Sequence, residues 1–110
     1  MVKEQVSSTQ LVISRATEAL PMSMHLITYD VNRPGQNYTL LYQAIKSYGT
    51  YWRCMQNAWV IRTSNSAVQV RDHLGKYIDA NEKLFITKVT EAAWSGFDNE
   101  GSNWLSRQAA

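Results

Sequence analysis

The sequence holds a single cysteine in 110 residues. Cys54 has no internal partner, so no disulfide braces the fold, and a reducing cytoplasm suits such a chain. No run approaches the roughly 20 apolar residues that span a bilayer, so no membrane partner is expected. The N-terminus lacks the basic stretch and apolar run of a secretory leader. There is no phosphate-binding loop, no glycine-rich dinucleotide fingerprint and no G-x-S-x-G elbow. The two histidines, His25 and His73, lie far apart and share no metal-ligand spacing with Cys54. These absences set aside the motif-bearing nucleotide enzymes, the serine hydrolases and a zinc-type centre.

What is present describes one globular domain. Hydrophobic residues make up 45% of the chain, which argues against disorder, and the length suits one core rather than two. The net charge of +2 is unevenly spread. Residues 1–23 balance, with Lys3 and Arg15 against Glu4 and Glu18. Residues 24–90 carry eight Lys/Arg against four Asp/Glu, a net of +4. Residues 91–110 carry Arg107 against Glu91, Asp98 and Glu100, a net of −2. A mildly basic body with an acidic tail admits a nucleic-acid partner and equally an ordinary mixed surface.

Proline is scarce too, and both prolines act as punctuation. Pro21 stops a short helical pattern over Gln10–Leu20, and residues 1–23 form an N-terminal extension: an added arm, or the product of a start upstream of Met22 or Met24. Met24–Tyr29 is a strand whose near-continuous apolar character suits a central place. Pro34-Gly35 breaks the chain. Tyr38, Leu41, Tyr42 and Ile45 then fall on one face of a helix over residues 38–48. Asn37 is its candidate N-cap and Gly49 its C′ residue. TYWRCM (50–55) and AWVIRT (58–63) read as a hairpin about Gln56-Asn57. Ser66 with Gln69 makes a capping box for a second helix, with Ala67, Val70, Leu74 and Tyr77 or Ile78 as its buried stripe. KLFITKVT (83–90) is the last strand.

The order is β-α-β-β-α-β, an α+β, ferredoxin-like arrangement: four antiparallel strands with both helices on one face. The domain spans residues 24–90. Its other sheet face would be apolar and bare, which a soluble monomer does not tolerate. Either two copies pack sheet to sheet or the aromatic tail, residues 91–110, covers the face. Trp94, Phe97 and Trp104 in that tail serve as plugs for apolar surface or as a stacking platform for bases.

Asp30 is the candidate for chemistry. It stands where the apolar first strand meets the turn. A carboxylate there can bond loop N–H groups or cap the following helix. It can also ligate a metal. His25, pointing opposite to Leu26, could face a dimer interface. Arg53 and Arg62 on the hairpin, with Lys88 nearby, could form a basic stripe.

LITYDVNRPGQNY (26–38), TYWRCMQNAWVI (50–61) and TEAAWSGF (90–97) resemble segments of the SinR-like family, a sister group of the small CRISPR-associated endoribonuclease and integration subunits. The resemblance covers about residues 24–106. It implies a homodimer with a ferredoxin-like fold per chain, paired through sheet faces. The two first-strand aspartates would then face one another and hold Mg²⁺. It further implies nucleic-acid binding and, in some members, Mg²⁺-dependent cleavage, with Asp30, which alone carries over by position, as catalytic residue and metal ligand; Arg33, Arg53 and Arg62 are this sequence's own candidates for contacting nucleic acid. Relatives often follow the aspartate with a basic run. Here only Arg33 stands in Val31–Gly35. A non-catalytic adaptor or antitoxin-like module, and a small-ligand sensor, stay open beside the nuclease.

Overall fold

The structure is a computed structural model in which residues 21–31 and 38–109 are described. The helical pattern over 10–20, the Pro34-Gly35 break, the Asn37 cap and Arg33 all lie outside the described residues. The chain runs β1 (Ser23–Asp30), α1 (Thr39–Lys46), β2 (Thr50–Met55), β3 (Ala58–Thr63), α2 (Ala67–Leu74), a 3₁₀ turn (Gly75–Tyr77), β4 (Lys83–Lys88) and α3 (Asn99–Ala109). The four strands form one antiparallel sheet in the order β2-β3-β1-β4. It is an α+β fold. β1 and β3 are central, which is why β1 is apolar on both faces. β1 runs one residue further than the sequence pattern, so Asp30 is its last member. β4 ends at Lys88, two residues earlier than expected.

Side chains alternate across a strand, and the two faces bury separate cores. On one face Ile27, Tyr29, Trp59 and Ile61 pack with Leu41, Ala44 and Ile45 of α1 and Val70 and Leu74 of α2. Ile78, just past the 3₁₀ turn, closes this core, while Tyr77 stays exposed. Gly49 ends the turn after α1 with φ +88°, a conformation in which a Cβ would strain.

The start of α2 is set by its own side chains. Ser66 Oγ accepts from the Gln69 N–H at 3.1 Å, and Gln69 Oε1 accepts from the Ser66 N–H at 2.8 Å. Two end-of-helix donors are satisfied at once. Ser66→Ala therefore lowers stability by about 1 kcal/mol, and Ser66→Gly by only a few tenths. Urea denaturation checks it, and a Ser66→Ala variant as stable as the native protein would show that the cap is not what stabilises the helix start.

On the other face Met24, Val60 and Leu105 are buried, with Leu26, Trp52, Cys54, Trp94, Phe97 and Trp104 packed around them. The tail thus lies on this side of the sheet. It contains a helix that the sequence pattern did not indicate. Asp98 caps α3 by accepting from the Gly101 N–H at 2.8 Å. Trp52 stands edge-on to Phe97, with ring centres 5.0 Å apart, and 6.0 Å from Trp104.

Candidate functional site

Asp30 belongs to the tail-facing side of the sheet, with Thr28, Leu26 and Met24. It is exposed and sits directly opposite Lys83 on β4. A shallow cavity of about 410 Å³ lies here, lined by Thr28, Asp30, Lys83 and Phe85 among others. The tail packs over the opposite end of this face, about Met24 and Val60. Phe85 is 62% exposed beside Asp30. So the carboxylate stands in an open patch of aromatic, hydroxyl and ammonium groups. An opposite-charge cross-strand pair of this kind is worth roughly 0.2–1 kcal/mol.

The strand end is held from the other face. Trp59 Nε1–H donates to the Tyr29 hydroxyl at 3.0 Å, and that hydroxyl donates on to the Gln56 carbonyl at 3.4 Å. The Tyr29 N–H also donates to the Asn57 carbonyl at 3.2 Å. Burial pushes the Tyr29 phenol above its usual value, against the opposing influence of the Trp59 bond. Tyr29 is thus core, and its tether fixes the residue that precedes Asp30's side chain.

The basic stripe does not form. Arg53 pairs with Trp59 and Arg62 with Thr50, which puts them on opposite faces of the sheet. Arg53 is held on the helix side. Its Nη2 and Nε donate to the Gln56 carbonyl at 2.6 and 3.1 Å. Its guanidinium lies 4.7 Å from the Tyr42 ring centre and 5.4 Å from that of Trp59. Such stacking commits the group to the hairpin. Arg62 is half-buried on the tail side, opposite Met24 on β1, six residues from Asp30 and so about 20 Å away along the strand.

His25 does not face outward either. It shares the helix-side parity of Ile27, is 2% exposed, and its Nδ1 lies 3.2 Å from the Ser23 carbonyl. His73 is tied at its edge: its Nδ1 is 2.8 Å from the Tyr48 hydroxyl, and its ring contacts Tyr77. Burial likewise pushes the Tyr48 phenol up. Sequence patterns gave no hint of Glu82, which is buried. Its carboxylate accepts from the Tyr38 hydroxyl at 2.6 Å and the Asp79 N–H at 2.8 Å, pinning the approach to β4 against the start of α1.

Among the described residues no three His, Cys, Asp or Glu side chains come together as a metal-binding group. Among them, too, no helix is long and apolar enough to cross a membrane. Lys83 and Phe85 are the neighbours of Asp30 that the sequence did not reveal. They emerge only from the β1–β4 register. A second concavity, of about 530 Å³, opens between the sheet and the stretch from Val89 to Phe97. Cys54 lines it, its thiol pushed up by burial. No protein-family model matches the chain.

Proposed function

We propose that this is a ferredoxin-like, homodimeric nucleic-acid-binding protein of the SinR-like group, akin to the small CRISPR-associated endoribonucleases. The strand order β2-β3-β1-β4, with α1 and α2 on one face, supports the fold reading, α3 being an addition to it. The observation that carries the function is the open patch at the end of β1: an exposed carboxylate beside an exposed phenylalanine and a lysine, on a sheet face the tail covers elsewhere. An apolar ring left bare at such a place suits contact with a second copy.

Pairing of two such patches would bring two Asp30 carboxylates near one another. At about 4 Å and an effective dielectric near 20 they repel by roughly 4 kcal/mol, which a cation relieves. Mg²⁺, with its oxygen ligands and retained waters, is the cation proposed. Within one chain the residues do not fit it, since Asp30 brings one carboxylate with Lys83 opposite. Mg²⁺ therefore belongs to this reading only through the dimer, and no reaction step is assigned to it.

The test joins mass to activity. In equilibrium sedimentation the native protein runs at twice the chain mass and Phe85→Glu at the chain mass. With RNA and DNA oligomers and Mg²⁺, cleavage by the native protein falls about 100-fold or more in Asp30→Asn, the scale of losing a charge-stabilising group. Cleavage unchanged by that substitution removes Asp30 from the site. One observation favours a second reading, a non-catalytic adaptor of the same fold: the lone carboxylate has a lysine as its cross-strand neighbour. Binding without cleavage, kept in Asp30→Asn, selects it.

A further inference from the structure

We propose that the concavity under the tail holds one unpaired base of a single-stranded nucleic acid, with Arg62 taking the adjoining phosphate. The proposal rests on the nucleic-acid reading above and names the form of nucleic acid and the site. It does not involve Asp30.

Three observations converge. First, the groove of about 530 Å³ is lined by the rings of Trp52, Trp94 and Phe97. That volume falls in the usual range of ligand clefts, about 300–1,000 Å³. Aromatic walls suit a flat base, whatever its identity. Second, the wall facing the sheet carries spare hydrogen-bonding groups. Val89 N–H donates to the Met24 carbonyl at 2.8 Å. Beyond it, residues 90–97 belong to neither helix nor strand. Among the described residues no backbone bond ties that stretch to the sheet, so its N–H and C=O groups can meet a base edge. Third, the groove runs into a polar cavity of about 400 Å³ that shares Met24 and Val89–Ala92 as walls and is lined by Arg62. The Arg62 guanidinium makes no ion pair among the described residues. An apolar aromatic slot opening on an unpaired arginine matches the two halves of a nucleotide. Lys88, directly opposite His25, turns to the helix side and lends the slot no charge, while Glu91 stands with Arg62 at the rim.

A base in this slot has left its stack, so a duplex is excluded. The probes are a fluorescein-labelled eight-nucleotide oligothymidylate, a blunt duplex of the same length, and an abasic oligomer with the same number of phosphates. Binding to the full chain is read by anisotropy and by tryptophan quenching. The oligothymidylate binds and quenches, and the abasic oligomer binds about 5- to 150-fold more weakly, the range of one lost stack. Trp94→Ala shows a similar loss. Arg62→Gln weakens binding and lowers the salt slope by about one. Arg62→Gln leaves the aromatic packing intact, so it stands as the control should Trp94→Ala unsettle the tail. Equal affinity for the base-bearing and abasic oligomers overturns the proposal, as does unchanged binding by Arg62→Gln. Tight duplex binding with no single-strand preference overturns it while sparing the broader reading. Binding of none of the probes removes both.

Discussion

Gly101→Ala loosens α3 from the sheet and lowers stability by about 1–3 kcal/mol, the scale of overpacking a filled site. The sign is the informative part. By helix propensity alone, alanine gains about 1 kcal/mol over glycine. Here the added Cβ runs into the Trp52 indole: it would overlap Cζ2 and come within 2.7 Å of Cη2. The ring cannot retreat, because Phe97 and Trp104 hold it from the tail. α3 must therefore tilt away, wetting Trp52 and Trp104. The helix-side core shares no residue with this contact, so the sheet survives. A red-shifted tryptophan emission at unchanged far-ultraviolet dichroism, with an earlier urea midpoint, is the expected pattern. A variant that melts later than the native protein would show that α3 does not pack on Trp52.

The same contact explains where sequence reasoning stopped. The sheet and its two helices were legible because each carries a local signal: a 3.6-residue stripe at Leu41 and Ile45, a reciprocal cap at Ser66 and Gln69, β-branched and aromatic runs in the hairpin. These patterns need no knowledge of distant partners. α3 had no such signal. NEGSNWLSRQA opens on weak helix formers, Asn99, Gly101, Ser102 and Asn103, and its glycine, a helix weakener in isolation, is required by a tryptophan some fifty residues earlier. The Asp98 cap was the one local cue. The site divides in the same way. Asp30 could be named from its place at the end of an apolar strand. Lys83 and Phe85 could not be placed beside it, because a one-residue slip of β4 would have sent them to the helix side. The grouping of Arg53 with Arg62 failed for that reason too. Position along a hairpin says little about which face a residue takes until the register is known, and the irregularity between Arg53 and Met55 shifts it. His25 and Leu26 were read as opposite, which alternation guarantees. Which of them turned outward depended on what covered each face.

Trp59→Ala has the largest expected cost, about 3–5 kcal/mol, against a total near 5–15 kcal/mol for a domain. Trp59 is almost wholly buried in a central strand. Its ring lies 5.9 Å from that of Tyr42 and 6.1 Å from that of Tyr51, and the Arg53 guanidinium sits over it. Truncation opens a cavity beside two tyrosine rings and a guanidinium. It also removes the N–H that the Tyr29 hydroxyl accepts at 3.0 Å, leaving that buried hydroxyl without its indole donor. Trp59→Phe separates the two effects. It keeps most of the ring and loses the N–H, so it costs about 1 kcal/mol for the bond plus a smaller cavity. Guanidinium unfolding of the pair reads both, and Ala no worse than Phe would show that the ring's volume is not what the core uses. The Phe variant carries the functional consequence. Tyr29 is the residue that sets Asp30 on the opposite face, and its phenol is half of the tether that fixes the strand end. With that tether loosened but the fold intact, any Asp30-dependent activity falls while binding at the tail groove does not. The Trp59 core and the groove lie on opposite faces of one sheet.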